Sequence, residues 1–287
     1  MKKFVVFILV YLIILLPIYA KVDKNSPDYL KNKKHMAIMN PLVENIAEKA
    51  IKKTLKKKIG PGKYKVKFDG YTLSSMKKGI FKNLEITGKN IEIEEIPIPY
   101  LSLKSISNYN WVDINSESVE IKSDMVFDYS MELDEKSINE ALKTEKFDKK
   151  LQKINKLAYP LFTLQDVKTR LRHDRLYVIM EYNLPLASSK KNKLFMVSTS
   201  FRVENGKIRA ENINIDKSYG SLPLDKVTNL INLIDPLTYT IELIKDKKCN
   251  GKIESVKFED NNIKINGKIY LEGVDSNKTT PLGTVTK

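Results

Sequence analysis

From Asn90 to Ile106 the chain reads NIEIEEIPIPYLSLKSI, with apolar residues on every second position: Ile91 and Ile93, then Ile96, Ile98 and Tyr100, then Leu101 and Leu103. A strand of this pattern has one apolar face and one polar face. The parity slips at Glu94–Glu95 and again at Tyr100–Leu101. Both slips read as β-bulges, which bend a sheet. Neighbouring segments alternate in the same way. Tyr64, Val66 and Phe68 share a face in YKVKFDGYTL, and Phe81 and Ile86 point inward in GIFKNLEITG. Further strands are expected in SVEIKSDMVFDYSMEL and in FTLQDVKTRLRHDRLYVIMEYNLPL. KLFMVSTSFRVENGKIRAENINID forms a hairpin over Asn205-Gly206, and KIESVKFEDNNIKINGKIYLEG forms another over Asn261-Asn262. Pro97 and Pro99 donate no ladder hydrogen bond and suit an edge or a bulge.

Three segments switch to the helical period. In NPLVENIAEKAIKKTLKKKIGPG, Asn40 is placed to cap and Pro41 to occupy the first turn. Leu42, Val43, Ile46, Ala47, Ala50, Ile51 and Leu55 form one stripe, and Gly60-Pro61 ends the helix. The opposite face carries Lys49, Lys52, Lys53, Lys56 and Lys57. That face suits either a helix packed on its own sheet or one that also touches a membrane or an acyl chain. A second helical segment, Asp134 to Ala158, has one stripe at Ile138, Ala141 and Leu142. Its other stripe is Phe147, Leu151, Ile154, Leu157 and Ala158, ahead of Pro160. The third, LPLDKVTNLINLIDPL, aligns Val227, Leu230, Ile231 and Ile234. Runs of strands broken by single helices predict an α+β fold with an antiparallel sheet.

The first residues form a separate unit. Lys2 and Lys3 precede an apolar run from Phe4 to Leu16, Pro17 breaks it, and Ala20 offers a small residue for cleavage. That order is the pattern of a secretory signal over residues 1–20. An uncleaved anchor is the alternative, with a run short of the roughly 20 apolar residues a span needs. Either reading places the remainder outside the cytoplasm. Residues 21–37 read as a polar linker, 38–273 as the folded domain and 274–287 as a flexible tail.

Composition narrows the chemistry. The formal charge is +15, but arginine supplies only 5 of the 50 basic residues. Nucleic-acid binders favour arginine forks for phosphates and bases, so no nucleic-acid partner is expected. The abundance of Lys, Ile and Asn also fits a coding bias that spreads lysines over solvated faces. A single cysteine, Cys249, excludes an internal disulfide and a thiolate metal cluster. The two histidines, His35 and His173, form no His-x-x-x-His or His-x-His pair, which argues against a histidine metal site. Cys249 lacks an evident base, and no Gly-x-Ser-x-Gly elbow occurs. The reading is a non-enzyme with no cofactor and no metal.

Two features remain as candidate contacts. KTRLRHDR holds three of the five arginines. Lys168, Arg170 and Arg172 project from one strand face with Arg175 nearby, suited to an anionic head group or simply to solvent. Tyr109 and Trp111 suit either a membrane interface or the core.

The run GIFKNLEITGKNIEIEEIPIPYLSLKSISNYNWVDI, followed by MELDEKSINEAL, resembles the LmeA-type phospholipid-binding family of exported bacterial proteins. The later blocks FRVENGKIRAENINI, LPLDKVTNLINLIDPL and IESVKFEDNNIKINGKIYL extend the resemblance over residues 38 to 273. It implies a tubular lipid-binding architecture, in which a strongly curved antiparallel sheet wraps a long amphipathic helix, with two further short helices. An apolar groove would then be lined by Leu42, Val43, Ile46, Ala50, Ile51, Phe81, Ile91, Ile93, Ile96, Ile98, Leu101 and Leu103. The expected function is binding of phospholipid or another anionic membrane lipid at a membrane surface of the cell envelope or periplasm, as carrier or sensor. A non-catalytic envelope scaffold without a cavity, and an enzyme acting on envelope glycolipids, are the alternatives.

Overall fold

The computed structural model describes residues 33–72, 75–76, 78–107, 109–113, 120–186, 192–216, 224–244, 250–259 and 261–273. The signal or anchor segment, most of the linker, the tail from 274 and Cys249 lie outside the described residues, as do the side chains of His35, Leu42 and Val227.

Helix α1 (Lys33–Lys58) leads into β1 (Lys63–Gly70), β2 (Ile80–Ile93), β3 (Ile96–Ser105), β4 (Asn110–Asp113), β5 (Glu120–Ile121) and β6 (Met125–Asp134). Helices α2 (Glu135–Leu142) and α3 (Glu145–Ala158) follow, then strands β7 (Thr163–Arg172), β8 (Arg175–Asn183), β9 (Lys193–Glu204) and β10 (Lys207–Ile215). Helices α4 (Leu224–Ile234) and α5 (Pro236–Ile244) precede the closing hairpin, β11 (Asn250–Glu259) and β12 (Asn262–Leu271).

The α+β class and the antiparallel pairing agree with the sequence reading. Among the described residues the strands divide into two open sheets, one of eight strands in the order β11-β12-β6-β3-β2-β4-β5 with β1 also on β2, and one of four in the order β10-β9-β8-β7. This corrects the expected single, strongly curved sheet. It also corrects the wrapped helix, because α1 packs along β1 at the margin of the large sheet. The physical reason is a set of edge hydrogen bonds. Glu48 accepts from the Phe68 N–H at 3.0 Å and Glu44 from the Gly70 N–H at 3.1 Å. These glutamates are one helical turn apart and match alternate N–H groups of a strand edge. The helix buries Ala47, Ile51 and Leu55 beside that edge, whereas Ile46 is 62% exposed.

Among the described residues, four helices stand where the sequence predicts two shorter ones. In the second segment, Lys143 and Thr144 interrupt the helix between Leu142 and Glu145. Asp134 and Ser137 form a reciprocal capping box at the start of α2, at 2.7 Å and 3.3 Å. In the third segment, Asp235 takes a positive φ of 30° and its carboxylate accepts from the Thr238 N–H at 3.1 Å. Asp235 therefore caps α5, with Pro236 in the first turn where its missing N–H costs nothing. Helix α2 packs on β3, β7 and α5 and so joins the two sheets.

The two parity slips have different causes. Glu94 (φ 53°) and Glu95 (φ 69°) are the two central residues of the β2–β3 turn, both left-handed as a type I′ turn requires, so that slip is a hairpin and not a bulge. At the second slip the pairing continues in register from Lys89–Tyr100 to Ile91–Ile98, across Asn90 at φ 48°. Each strand spends one extra residue there, which keeps Ile91 on the same side as Gly88. The Asn205-Gly206 hairpin forms as expected, with both residues at positive φ. The last hairpin turns one residue earlier than expected, since Asn262 already pairs with Glu259.

Candidate functional site

Register builds the site. Across the large sheet, Val66, Ile86, Leu103, Tyr129, Gly267 and Ile253 stand in one transverse row. Tyr64, Gly88, Leu101, Met131, Ile265 and Val256 form the next row. A mostly apolar cavity of about 760 Å³ lies over these rows. Its walls are Leu55 and Ile59 from the end of α1, Ile241 and Ile244 from α5, the β9–β10 hairpin with Ile208, and Ile253 and Ile269 from the closing hairpin. The volume falls within the range of about 300–1,000 Å³ typical of small-molecule sites.

Two glycines in the apolar rows mark close approaches, Gly88 in the cavity wall itself and Gly267 against the β11 backbone. A Cβ at Gly267 would stand 2.9 Å from the Tyr129 ring and 2.2 Å from the Lys252 carbonyl oxygen. At Gly88 it would stand 2.9 Å from Ile91. A glycine at an inward strand position is a sign of close approach, and Gly88 is the signal by which a sequence reading can find this floor.

Polar groups enter from two walls. Asn205, Lys207, Arg209 and Lys252 come from the hairpin side, and Asp235, Thr238 and Glu242 from α5. Burial pushes the Asp235 carboxyl above its ordinary value, opposed by the bonds from Thr238 and by the charge of Lys150. Burial lowers the Lys150 ammonium, whose Nζ donates to the Ile234 carbonyl at 2.9 Å. Two phenols sit among the apolar groups. Tyr64 donates to the Gly60 carbonyl at 3.2 Å, and burial pushes its pKa to about 12. Tyr129 is also pushed to about 12, by burial and then by the Glu254 charge. Both are neutral at physiological pH, so the floor of the cavity is uncharged.

Of the groove residues expected from the sequence, the structure brings Ile91, Leu101 and Leu103 to the cavity. Ile51, Phe81, Ile93, Ile96 and Ile98 are buried in the core away from it, and Val43 and Ala50 are half-buried outside it. Ile46 faces solvent, because the helix turns its Ala47–Ile51–Leu55 side to the sheet. The lining residues Ile59, Ile86, Tyr129, Met131, Ile208, Ile241 and Ile269 were not among those expected. Each lies on an apolar periodicity, but periodicity does not say which inward positions remain uncovered.

The expected head-group patch is elsewhere. Lys168, Arg170 and Arg172 are exposed on the outer face of β7, and none of the four patch residues lines the cavity. Lys168 pairs with Asp166 at 2.7 Å. Arg175 is committed to structure: Nε donates to Ser198 Oγ at 3.1 Å, and a terminal nitrogen donates to the Ser198 and Asn212 carbonyls. The basic side chains at the cavity are Lys207, Arg209 and Lys252 instead. Trp111 is half-buried, with Nε1 donating to the Lys78 carbonyl at 3.2 Å, while Tyr109 is exposed.

Among the described residues no group of three His, Cys, Asp or Glu is placed to hold a metal ion, and no helix is long and apolar enough to cross a membrane. Comparison with protein-family models, with curated proteins and with solved structures finds no match.

Proposed function

We propose that this chain is an exported lipid-binding protein of the cell envelope, of the kind its resemblance to the LmeA-type family implies, and that it holds an acyl chain in the cavity between the large sheet and α5. The observation that carries the reading is the size and lining of that cavity: about 760 Å³, with an apolar floor and lysine and arginine on one wall. Acyl burial contributes about 0.8 kcal/mol per methylene, on the order of 10 kcal/mol for a chain of about 16 carbons before the cost of association. No reactive group is required for such a role. It needs continuous apolar surface and a polar exit for the head group, and Lys207, Arg209 and Lys252 are suited to meet an anionic one. On this reading the finer architecture is a lipid-binding sheet whose cavity is closed by α5 and the β9–β10 hairpin, with α1 contributing only its last turn.

Native mass spectrometry on gently purified protein tests the proposal. Phospholipid should co-purify, and Leu101→Trp, which fills the cavity from the middle of its floor, should lower the bound fraction while the circular dichroism spectrum is unchanged. Protein that carries no lipid even after incubation with liposomes would rule the proposal out.

A further inference from the structure

Large apolar side chains that face water gather at one end of the small sheet. Leu157, near the end of α3, is 81% exposed. Tyr159 and Leu161 follow it on the way into β7 and are also largely exposed. Leu186, just past β8, is 79% exposed, and Leu194 stands exposed at the start of β9. Register places these sites together: Thr163 pairs with Asn183 and Tyr182 with Lys193, so the start of β7, the end of β8 and the start of β9 share one end. Adjacent strands lie only about 4.8 Å apart. Scattered single leucines on a surface are ordinary, but several on neighbouring connections mark an interaction site.

Lysine is the commonest charged residue around this end. Lys153 and Lys156 are exposed on the last turns of α3, and Lys193 is exposed beside Leu194. The nearby carboxylates are Glu181, cross-strand from Leu194, which accepts from Asn192 Nδ2 at 2.7 Å, and Asp166, which pairs with Lys168 at 2.7 Å. Glu145, paired with Lys149 at 2.6 Å, lies at the opposite end of α3. Apolar and aromatic side chains projecting past a lysine collar are the composition that settles at an anionic lipid surface. The aliphatic groups enter the head-group boundary, tyrosine suits the interface itself, and the lysines meet phosphates.

We propose that the end formed by Leu157, Tyr159, Leu161, Leu186 and Leu194 docks the protein on an anionic lipid bilayer. The proposal rests on this exposed end alone and does not depend on what the cavity binds. It has a geometric consequence. Strand β9 starts at the docking end and finishes at the hairpin that walls the cavity, roughly 35 Å away at about 3.3 Å per residue. A docked molecule therefore holds its cavity away from the membrane it grips.

The test uses the full chain with Cys249→Ser and Leu161→Cys, labelled at the new thiol with an environment-sensitive fluorophore. Phosphatidylglycerol–phosphatidylcholine vesicles should shift the emission to the blue, and added salt should weaken the response. Lys153→Glu with Lys156→Glu should weaken it at least about tenfold. A label that stays in water while the chain sediments with vesicles, held there by the apolar segment 4–16, overturns the proposal. So does an emission shift without vesicles that grows with protein concentration, because it assigns this end to a second copy. Lipid co-purification by Leu157→Ser with Leu161→Ser should equal that of the parent protein. A docking defect with normal lipid content, or normal docking with an empty cavity, then tells failure of one proposal from failure of the other.

Discussion

At the scale of single residues, the cavity phenols offer a direct measurement. A tyrosine in an unfolded chain ionises near pH 10, whereas Tyr64 and Tyr129 hold their protons to about pH 12. The raised values mean that the folded state favours the protonated form. The stability linked to these groups is complete below about pH 10 and is lost as pH rises toward 12. In an alkaline titration followed by tyrosinate absorbance, Tyr64→Phe and Tyr129→Phe should each remove part of the late ionisation. A late step left intact in either variant excludes that phenol. Both tyrosines sit on alternating strands and their inward facing is legible from period alone. The depth of the space above them is not. Glu94 and Glu95 show a different limit. Glutamate seldom takes the left-handed region, so the two residues carry no turn signal and read as a slip within one strand.

At the scale of elements, the helices serve as covers for sheet edges. Strand β7 is the margin of the small sheet. Asn139 donates to the Thr169 carbonyl at 2.9 Å and accepts from the Thr169 N–H at 2.8 Å. Asn155 makes the same pair of bonds with Leu164, at 2.9 and 2.8 Å, and Glu135 accepts from the Leu171 N–H at 3.1 Å. With Glu44 and Glu48 on β1, side chains from three helices take the place of a further strand and block edge-to-edge pairing. Asn139→Ala leaves a donor and an acceptor of Thr169 unpaired next to the core and should cost about 1–3 kcal/mol. The urea midpoint should fall with the slope unchanged. An unaltered midpoint would mean that water replaces the amide at no cost. On the sequence, Asn139 and Asn155 read as the wet side of amphipathic helices, because nothing local indicates a strand edge that lies 30 residues away in one case and 9 in the other.

At the scale of the whole molecule, the two sheets meet along the cavity. The Ile253 N–H donates to the Gly206 carbonyl at 3.2 Å and the Phe201 and Phe258 rings stack at 6.1 Å, so the β9–β10 hairpin leans on β11. Because the cavity lies between elements from distant parts of the chain, a bound acyl chain would tie them together. Removal of lipid should therefore lower the melting temperature, and returning it should restore the loss. At a hundredfold excess over the dissociation constant a ligand contributes about 2.7 kcal/mol. Equal melting temperatures with and without lipid would count against the cavity as its site.

Local chemistry by itself determined most element types, the α+β class, the antiparallel pairing, the Asn205-Gly206 turn and the inward positions of β1, β2 and β3, because period and turn residues act within a few positions. Only the tertiary structure decided that there are two open sheets, that α1 lies along an edge, and that Ile91, Leu101 and Leu103 face open space while Ile93, Ile96 and Ile98 are covered. The reason is physical. An inward apolar side chain has the same sequence signature whether its neighbour is packed against it or absent, and that neighbour comes from an element far along the chain.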